Sequence, residues 1–425
     1  MALEDDDKGK ENKKGLIAWC LYDWANSAFP TVITTFVFAA YFAKGVAVDE
    51  ISGTSQWGYA LSLSGLAIAI AGPLLGAVAD QTGRRKPWIA LFTLIAAIAS
   101  FSLWRVEPNS SYVITALVCV AVANFAFEMA MVFYNAMLPD LAPPARIGRW
   151  SGWGWGLGYA GGLVCLGLVL VGFVQAEQPW FGLDKAAAEH LRATGPFVGI
   201  WMAVFALPLL IFTPDSKSTA VGIGESLHQG FATLVDTFRK LGQYRDAAWF
   251  LLARMIYTDG LNTLFAFGGI YAAGTFGMSF EELIIFGIAM NVTAGIGATG
   301  FAWMDDRLGA KWTIKVAVSA LVILATTVLV VESKTMFWLF GVPLGLFVGP
   351  AQSASRSMMA RLAPPEMRTE FFGLYAFSGK ATAFLGPALV ALFTDVFQSQ
   401  RAGMATIIVF FGIGLVMLRK VPDVR

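Results

Sequence analysis

Long apolar stretches alternate with short polar segments along the whole chain. Twelve of these stretches come close to or exceed the roughly 20 residues that a helix needs to cross a bilayer. The pattern predicts an all-α polytopic membrane protein with twelve transmembrane helices. The predicted spans cover residues 16–43, 55–79, 88–105, 111–137, 150–175, 196–213, 248–274, 282–303, 312–331, 335–357, 370–396 and 401–418.

The longest polar connection, residues 214–247, lies between the sixth and the seventh predicted span. It divides the chain into a tail at 1–15, a six-helix bundle at 16–213, the linker itself and a second six-helix bundle at 248–425. Apolar linker residues recur at helical spacing: Leu227, Phe231, Leu234, Val235, Phe238 and Leu241. They predict an amphipathic helix, either on the membrane surface or packed under the bundle.

Three groups of residues recur in the same order in the two halves. GAVADQTGRRK (76–86) and AWMDDRLGAK (302–311) share an Asp and a Gly, and LAPP at 141–144 returns at 362–365 with an offset of 221. Polar residues of the first span return in the seventh with an offset of 236: Asp23, Asn26, Ser27 and Asp259, Asn262, Thr263. The repeats predict duplication of a six-helix unit with the same orientation.

Composition narrows the class of protein. Apolar residues make up 57% of the chain and charged residues 14%, against about 25% charged in an ordinary soluble domain. A large soluble enzyme is therefore not expected, and a net charge of +1 without a basic stripe argues against a nucleic-acid partner. Three scattered cysteines and two histidines outside the spans supply no metal site, so no metal or cofactor is expected.

Lysine and arginine indicate the orientation. With the N-terminus inside, the cytoplasmic segments hold 21 Lys and Arg and the opposite segments hold 6. Positive loops stay on the cytoplasmic side, so we expect the tail, the linker and both termini there. The lack of a transit-peptide pattern and of a long segment on the opposite side favours a bacterial inner membrane.

Several motifs resemble those of a known superfamily. GAVADQTGRRK is similar to the major facilitator signature between spans two and three. Five further stretches resemble the vacuole-effluxer family within it: LYDWANSAF (21–29), FYNAMLPDLA (133–142), GWGLGYAGG (154–162), AQSASRSMMARLAP (351–364) and EFFGLYAFSGKATAFLGP (370–387). The resemblance implies two parallel six-helix halves that alternate access to a central cavity lined by spans one, four, seven and ten. Fungal members of that family release amino acids from the vacuole.

Six charged residues are assigned to the membrane interior and not to the connections, and each is costly there unless it faces a cavity or a partner. These are Asp23, Glu128, Arg254, Asp259, Arg356 and Lys380. Asp23 with Asn26, and Asp259 with Asn262, share helix faces. The two faces predict a site for the ammonium group of a zwitterion, or at Asp23 for a coupling proton. The alternative is structural: these residues hydrogen-bond neighbouring helices, and Asp259 pairs with Arg254.

Glu128 is the main candidate for carrying a coupling proton, a role that intramembrane acids often have. Arg356 and Lys380 are candidate anchors for a substrate carboxylate, and Gln352 lies one turn before Arg356 on the same face. The alternative is that the two cations only neutralise Asp23 and Glu128. Three neighbours of Glu128 complete the predicted substrate site: Asn124, Tyr134 and Asn135.

Charges at the span ends predict a gate. Asp80 with Arg84 and Arg85 forms a first latch between the halves, and Asp306 with Arg307 forms a second. Gly76 and Gly83 belong to the first motif. The alternative is that the positive cluster only fixes the loop on the cytoplasmic side.

The sequence therefore predicts a secondary active transporter that acts as a monomer in the lipid bilayer. Its substrate is a small polar or zwitterionic solute such as an amino acid, coupled to protons, with efflux favoured. Two alternatives stay open, a multidrug or lipid-like exporter and a non-transporting membrane sensor. An enzyme is not expected, since the spans hold no facing nucleophile and base and no metal ligands.

Overall fold

The computed structural model describes residues 12–215 and 242–424, and in this part of the chain the regular structure is helical. The first half contains α1 Lys13–Val46, α2 Glu50–Thr82, α3 Lys86–Arg105, α4 Ser110–Leu141, α5 Pro144–Val174 and α6 Glu189–Phe212. The second contains α7 Arg245–Phe276, α8 Phe280–Leu308, α9 Ala310–Val330, α10 Lys334–Leu362, α11a Arg368–Ser378, α11b Leu385–Phe397 and α12 Gln400–Leu418. The predicted linker helix lies outside the described residues.

The prediction of an all-α membrane protein is confirmed. Ten of the described helices are long and apolar enough to cross a membrane. The two remaining predicted spans are also helical: α7 has the length but not the composition, and the eleventh is in two pieces. Every predicted boundary lies within about two helical turns of the observed one.

The eleventh span, predicted over 370–396, is interrupted. α11a ends at Ser378, residues 379–384 form successive turns, and α11b begins at Leu385. The interruption includes Lys380. Non-helical backbone at membrane depth is tolerated where protein buries it or where it lines a cavity, and Gly379 and Lys380 of this segment line one.

The helix ends follow local rules that the sequence encodes. Ser279 and Glu282 form a capping box at the start of α8, each side chain bonding the other's main-chain N–H. Asp49 caps α2 by accepting from the Ser52 N–H at 2.9 Å. Gly83 ends α2 with a φ of 78°, a left-handed conformation that favours glycine.

Large apolar side chains cover the outside of the bundle. Tyr59, Leu63 and Ile70 of α2 are 65–76% exposed, and α3, α6, α9 and α12 carry similar residues. In water such a surface would drive aggregation, whereas in a bilayer it faces lipid. The exposed residues therefore agree with a membrane location.

The beginning of α1 and the end of α12 lie on one side of the bundle, here called the termini side. Lys14 lies 4.0 Å over the ring of Phe212 at the end of α6. Lys311 at the start of α9 is 3.8 Å from Asp423, which follows α12. The helix ends of both halves thus meet on the same side as the chain termini.

The two halves close against each other on the termini side. α2 packs on α11a, and α5 packs on α8. A β-carbon on Gly76 would collide with the main chain of Thr369, and one on Gly373 with that of Gly72. Nearer the start of α2, a β-carbon on Gly65 would have no atom within 4 Å. α2 and α11 therefore touch on the termini side and diverge toward the opposite side.

Candidate functional site

Asp23 of α1 and Arg356 of α10 form an ion pair between the halves. Arg356 Nη1 lies 2.9 Å from Asp23 Oδ2, and the two side chains are only 1% and 7% exposed. Tyr134 packs nearby through its ring, which stacks on Trp19 at a centroid distance of 4.4 Å. The pair realises the alternative in which Arg356 neutralises Asp23.

Further contacts engage the Arg356 guanidinium. Its Nε donates to Ser151 Oγ at 3.0 Å, its Nη2 to the Ser151 carbonyl at 2.6 Å, and its Nη1 also to Asn135 Oδ1 at 3.3 Å. The guanidinium carbon lies 4.8 Å from the centre of the Trp19 ring. Arg356 could anchor a substrate carboxylate only after some of these bonds had broken.

Glycines of α5 make room for this pair. A β-carbon on Gly154 would lie 2.5 Å from Asp23 Oδ2, and one on Gly158 would lie 2.8 Å from Ser27 Oγ. Because Gly154 and Gly158 have no side chain, α1 can approach α5 closely enough for Asp23 to reach Arg356.

A cavity of about 220 Å³ lies between the halves. Glu128 of α4 and Lys380 of the interrupted segment face each other across it, with Oε1 and Nζ 2.7 Å apart, and both are partly exposed. The other polar lining residues are Asn135, Arg254, Tyr257, Thr258, Asn262, Gln352, Ser355 and Tyr375. Aromatic rings of Phe127, Trp155 and Phe372 and several aliphatic residues also line the cavity.

Arg254 of α7 holds the end of α11a. Its Nη1 donates to the Tyr375 carbonyl and to Ser378 Oγ, both at 2.6 Å, and its guanidinium lies 3.4 Å from the centre of the Tyr375 ring. These contacts lie just before the interruption. The predicted alternative that Asp259 pairs with Arg254 is wrong, because neither carboxylate oxygen of Asp259 has a hydrogen-bond partner among the described residues.

The cavity includes some of the predicted substrate residues and not others. Asn135, Asn262 and Gln352 line it, and Gln352 Oε1 accepts from Tyr159 Oη at 2.6 Å. The others lie outside its wall: Asp23, Asn26, Asn124, Tyr134, Asp259 and Arg356. Two of these bond neighbouring helices, Asn26 to Met131 Sδ at 3.0 Å and Asn124 to Ser64 Oγ at 3.0 Å.

The first predicted latch is a carboxylate at a helix start. Asp80, at the end of α2, accepts from the N–H groups of Thr369 and Glu370 at 3.1 and 2.8 Å, at the beginning of α11a. The positive end of a helix dipole favours a carboxylate there. Arg85 Nε donates to Thr369 Oγ1 at 2.9 Å and its Nη2 lies 3.6 Å from Asp80, while Arg84 is exposed.

The second latch repeats the first by pseudo-symmetry. Asp306, at the end of α8, accepts from the Arg149 N–H at 2.9 Å near the start of α5, and Arg149 Nε lies 3.3 Å from its Oδ2. Arg307 is exposed. In both repeats the loop LAPP precedes the capped helix, which explains why this tetrapeptide and the Asp recur together.

Other residues of the closed side are not among the predicted latch residues. Asp140 bonds both Arg85 and Arg368, and Asp305 bonds Arg361 at 2.8 Å. In the sequence, the rule that positive loops stay on the cytoplasmic side accounts for these basic residues without any ion pair. The sequence signal for the ion pairs is the acids at the ends of α4 and α8, Asp140 and Asp305.

A family model described as "Vacuole effluxer Atg22 like" matches residues 42–149 and 145–425. The "Uncharacterized MFS-type transporter YxiO" of Bacillus subtilis (strain 168) is 28% identical over 413 residues, covering 96% of this chain and 94% of that protein. "Autophagy-related protein 22" of Saccharomyces cerevisiae (strain ATCC 204508 / S288c) is 23% identical over 435 residues, covering 90% and 79%.

Solved structures share the fold. The transporter FucP in its outward conformation superposes with a TM-score of 0.76 at 11% identity, covering 96% of this chain and 98% of that one. The human organic anion transporter MFSD10 superposes with a TM-score of 0.72 at 14% identity, covering 96% and 100%. At these identities the likeness concerns the fold alone, which is that of the major facilitator superfamily.

Proposed function

Because the chain belongs to the vacuole effluxer Atg22-like family of major facilitator transporters, we propose that it exports a small zwitterionic solute in exchange for protons. Membership of this family makes the protein a multi-pass membrane transporter and not an enzyme. The solute class, the proton coupling and the direction of transport form the proposal.

One observation carries the proposal: the Glu128–Lys380 ion pair in the cavity wall, with its 2.7 Å separation. A carboxylate from one half and an ammonium group from the other suit the two ends of an amino acid. In the proposed bound state the solute ammonium binds Glu128 and the solute carboxylate binds Lys380. The one Glu128–Lys380 pair is thereby replaced by two ion pairs with the solute, so no charge is left unpaired in the cavity.

Competition for Glu128 couples the solute to protons. A proton on the carboxylate removes the charge that binds the solute ammonium, so the proton and the solute exclude each other. Mutually exclusive binding at one alternating site produces exchange. An inward proton gradient then drives the solute outward.

The wall residues support this solute class over a drug or lipid. The cavity of about 220 Å³ is smaller than the about 300–1,000 Å³ of sites that hold drug-sized ligands. Charged and amide groups of Glu128, Arg254, Asn262 and Lys380 are distributed over its wall. The rings of Phe127, Trp155 and Phe372 are what favours the alternative of a multidrug or lipid-like exporter.

The two latches supply the alternation in the proposal. With the termini side cytoplasmic, as the positive loops indicate, Asp80 and Asp306 hold the cytoplasmic side closed and must release for the solute to enter. We also propose that this membrane is a bacterial inner membrane. We propose that the protein acts as a monomer, since one chain supplies both Glu128 and Lys380 and the proposed site needs no second subunit.

Transport by the reconstituted protein tests the proposal. Proteoliposomes are loaded with a labelled amino-acid mixture, and solute movement is followed with and without a pH gradient. The gradient should accelerate movement for the wild type, and Glu128→Gln should remove the acceleration while part of the solute exchange remains. Glu177→Gln, an exposed loop acid, is the matched control. Unchanged coupling in Glu128→Gln would refute the assignment, and movement of none of the amino acids would refute the solute class.

A further inference from the structure

Three side chains at the junction of α7 with the interrupted span have buried oxygen atoms without a hydrogen-bond partner in the described structure. The atoms are Oδ1 and Oδ2 of Asp259, Oγ1 of Thr263 and Oγ1 of Thr382. Asp259 and Thr263 are each only 1% exposed. Buried polar atoms are nearly always hydrogen-bonded, so several unpaired oxygens in one place require an explanation.

These oxygen atoms belong to one cluster. Asp259 and Thr263 are one helical turn apart on α7 and share a face. The Thr382 hydroxyl lies beside the Asp259 carboxylate but outside hydrogen-bonding geometry. On the same side, a β-carbon on Gly386 would collide with Thr263 Oγ1 and lie 3.4 Å from the Asp259 carbonyl oxygen. The face of α7 that carries Asp259 and Thr263 therefore packs against residues 382–386.

The neighbouring cations are committed elsewhere. Arg254 is bound to Tyr375 and Ser378, and Lys380 is paired with Glu128. Neither forms an ion pair with Asp259.

The internal repeat shows what the second half lacks. Asp23 in the first half corresponds to Asp259 and has Arg356 as its partner. The offset of 221 that aligns the two LAPP loops also aligns Arg356 with Asn135. The duplicated position thus carries a neutral amide, and the second acid is left without an arginine.

We propose that Asp259, Thr263 and Thr382 bind a sodium ion. A small monovalent cation prefers oxygen ligands, and the three side chains offer a carboxylate and two hydroxyls in one place. An interrupted membrane helix adds main-chain carbonyl oxygens, which coordinate Na⁺ in other transporters with broken helices. The ion supplies for Asp259 the positive charge that Arg356 supplies for Asp23. The site is separate from the proposed solute site, and its test requires no solute.

Binding of ²²Na⁺ to the full-length protein in lipid nanodiscs tests the site directly. We expect saturable binding of one ion per chain, and a rise in the thermal unfolding temperature with NaCl that KCl and choline chloride do not reproduce at equal ionic strength. Asp259→Asn should abolish both effects. Thr263→Val and Thr382→Val keep the side-chain shape and should each weaken binding by about tenfold or more.

Asp246→Asn, at an exposed position of the same helix, is the matched control and should bind like the wild type. Since the Asp259 carboxylate has no partner to lose, its Asn variant should fold, and the two valine variants provide an independent measurement if it does not. Binding that survives Asp259→Asn or both valine substitutions overturns the proposal. So does a stability that depends on pH but responds equally to sodium and choline, because Asp259 then holds a proton instead.

Discussion

Arg356 Nη1 and Asp23 Oδ2, 2.9 Å apart, join α10 to α1 in a pair that is almost completely buried. Ser151 and Asn135 accept further hydrogen bonds from the same guanidinium. The pair thus links four helices from both halves at the level where the halves must move relative to each other. A charge buried in this way depends on its partner, since water cannot replace it.

Removing one member of the pair should destabilise the protein strongly. Asp23→Asn or Arg356→Gln leaves the other charge buried and unpaired, at a cost of about 3–5 kcal/mol. The double variant Asp23→Asn with Arg356→Gln leaves no unpaired charge and should recover part of the loss. The thermal unfolding temperatures of the purified variants measure this order of stability: wild type, then the double variant, then the single variants. Single variants as stable as the wild type would contradict the observed pairing.

Gly154→Ala should weaken the same contact from the side of α5. The added methyl group would lie 2.5 Å from Asp23 Oδ2, and such overpacking costs about 1–3 kcal/mol. Gly167→Ala on the same helix is the control, because its β-carbon would have no atom within 4 Å. We expect a lower unfolding temperature for the first variant only. Equal unfolding temperatures would show that the close approach of α1 and α5 is not needed.

Arg85→Gln should open the termini side, whereas Arg84→Gln should not. Arg85 contacts Asp80, Asp140 and Thr369, while Arg84 is exposed. Spin labels at Ala145 and Glu366, both exposed on the termini side, report the separation of the halves in a background without native cysteines. Arg85→Gln should add a longer distance to the distribution. Identical distributions for the two variants would mean that the arginines serve orientation alone.

Lys380→Gln should reduce the affinity for solutes that carry a carboxylate. A hydrogen bond to a charged group contributes about 1.5–3 kcal/mol, which corresponds to at least about a tenfold rise in KM. Lys185→Gln, at an exposed loop position, controls for the loss of a positive charge. The KM is measured from initial transport rates at several solute concentrations. An equal KM in both variants would exclude Lys380 as the anchor.

Helix positions and the charges in the spans could be predicted from the sequence. The position of the interruption in α11, at 379–384, could not, because the apolar composition of 370–396 is that of a continuous span. Gly379 and Pro387 are present there, but Pro73, Pro343 and Pro350 lie inside uninterrupted helices. Whether a helix breaks depends on the residues packed around it, here Arg254 at the end of α11a.

The latches also show which features the sequence predicts and which depend on tertiary structure. The repeats at Asp80 and Asp306 predicted a gate, and each of these acids contacts the start of a helix in the other half. Which arginine reaches the latch was not decided by the sequence. Arg84 and Arg85 are adjacent and chemically identical, but only Arg85 is turned toward α11a by the left-handed Gly83 and the turn that follows it.

Sequence alone determined that this chain is a duplicated helical membrane protein with six costly charges, because apolar length, repeat order and Lys/Arg asymmetry can be read locally. Only the tertiary structure decided which partner each charged residue has. Asp23, Glu128 and Asp259 are equivalent as intramembrane acids, but the packing brings Arg356 to the first, Lys380 to the second and, among the described residues, no basic side chain to the third. Pairing acts over a few ångströms, and only the packing of the helices sets distances of that size.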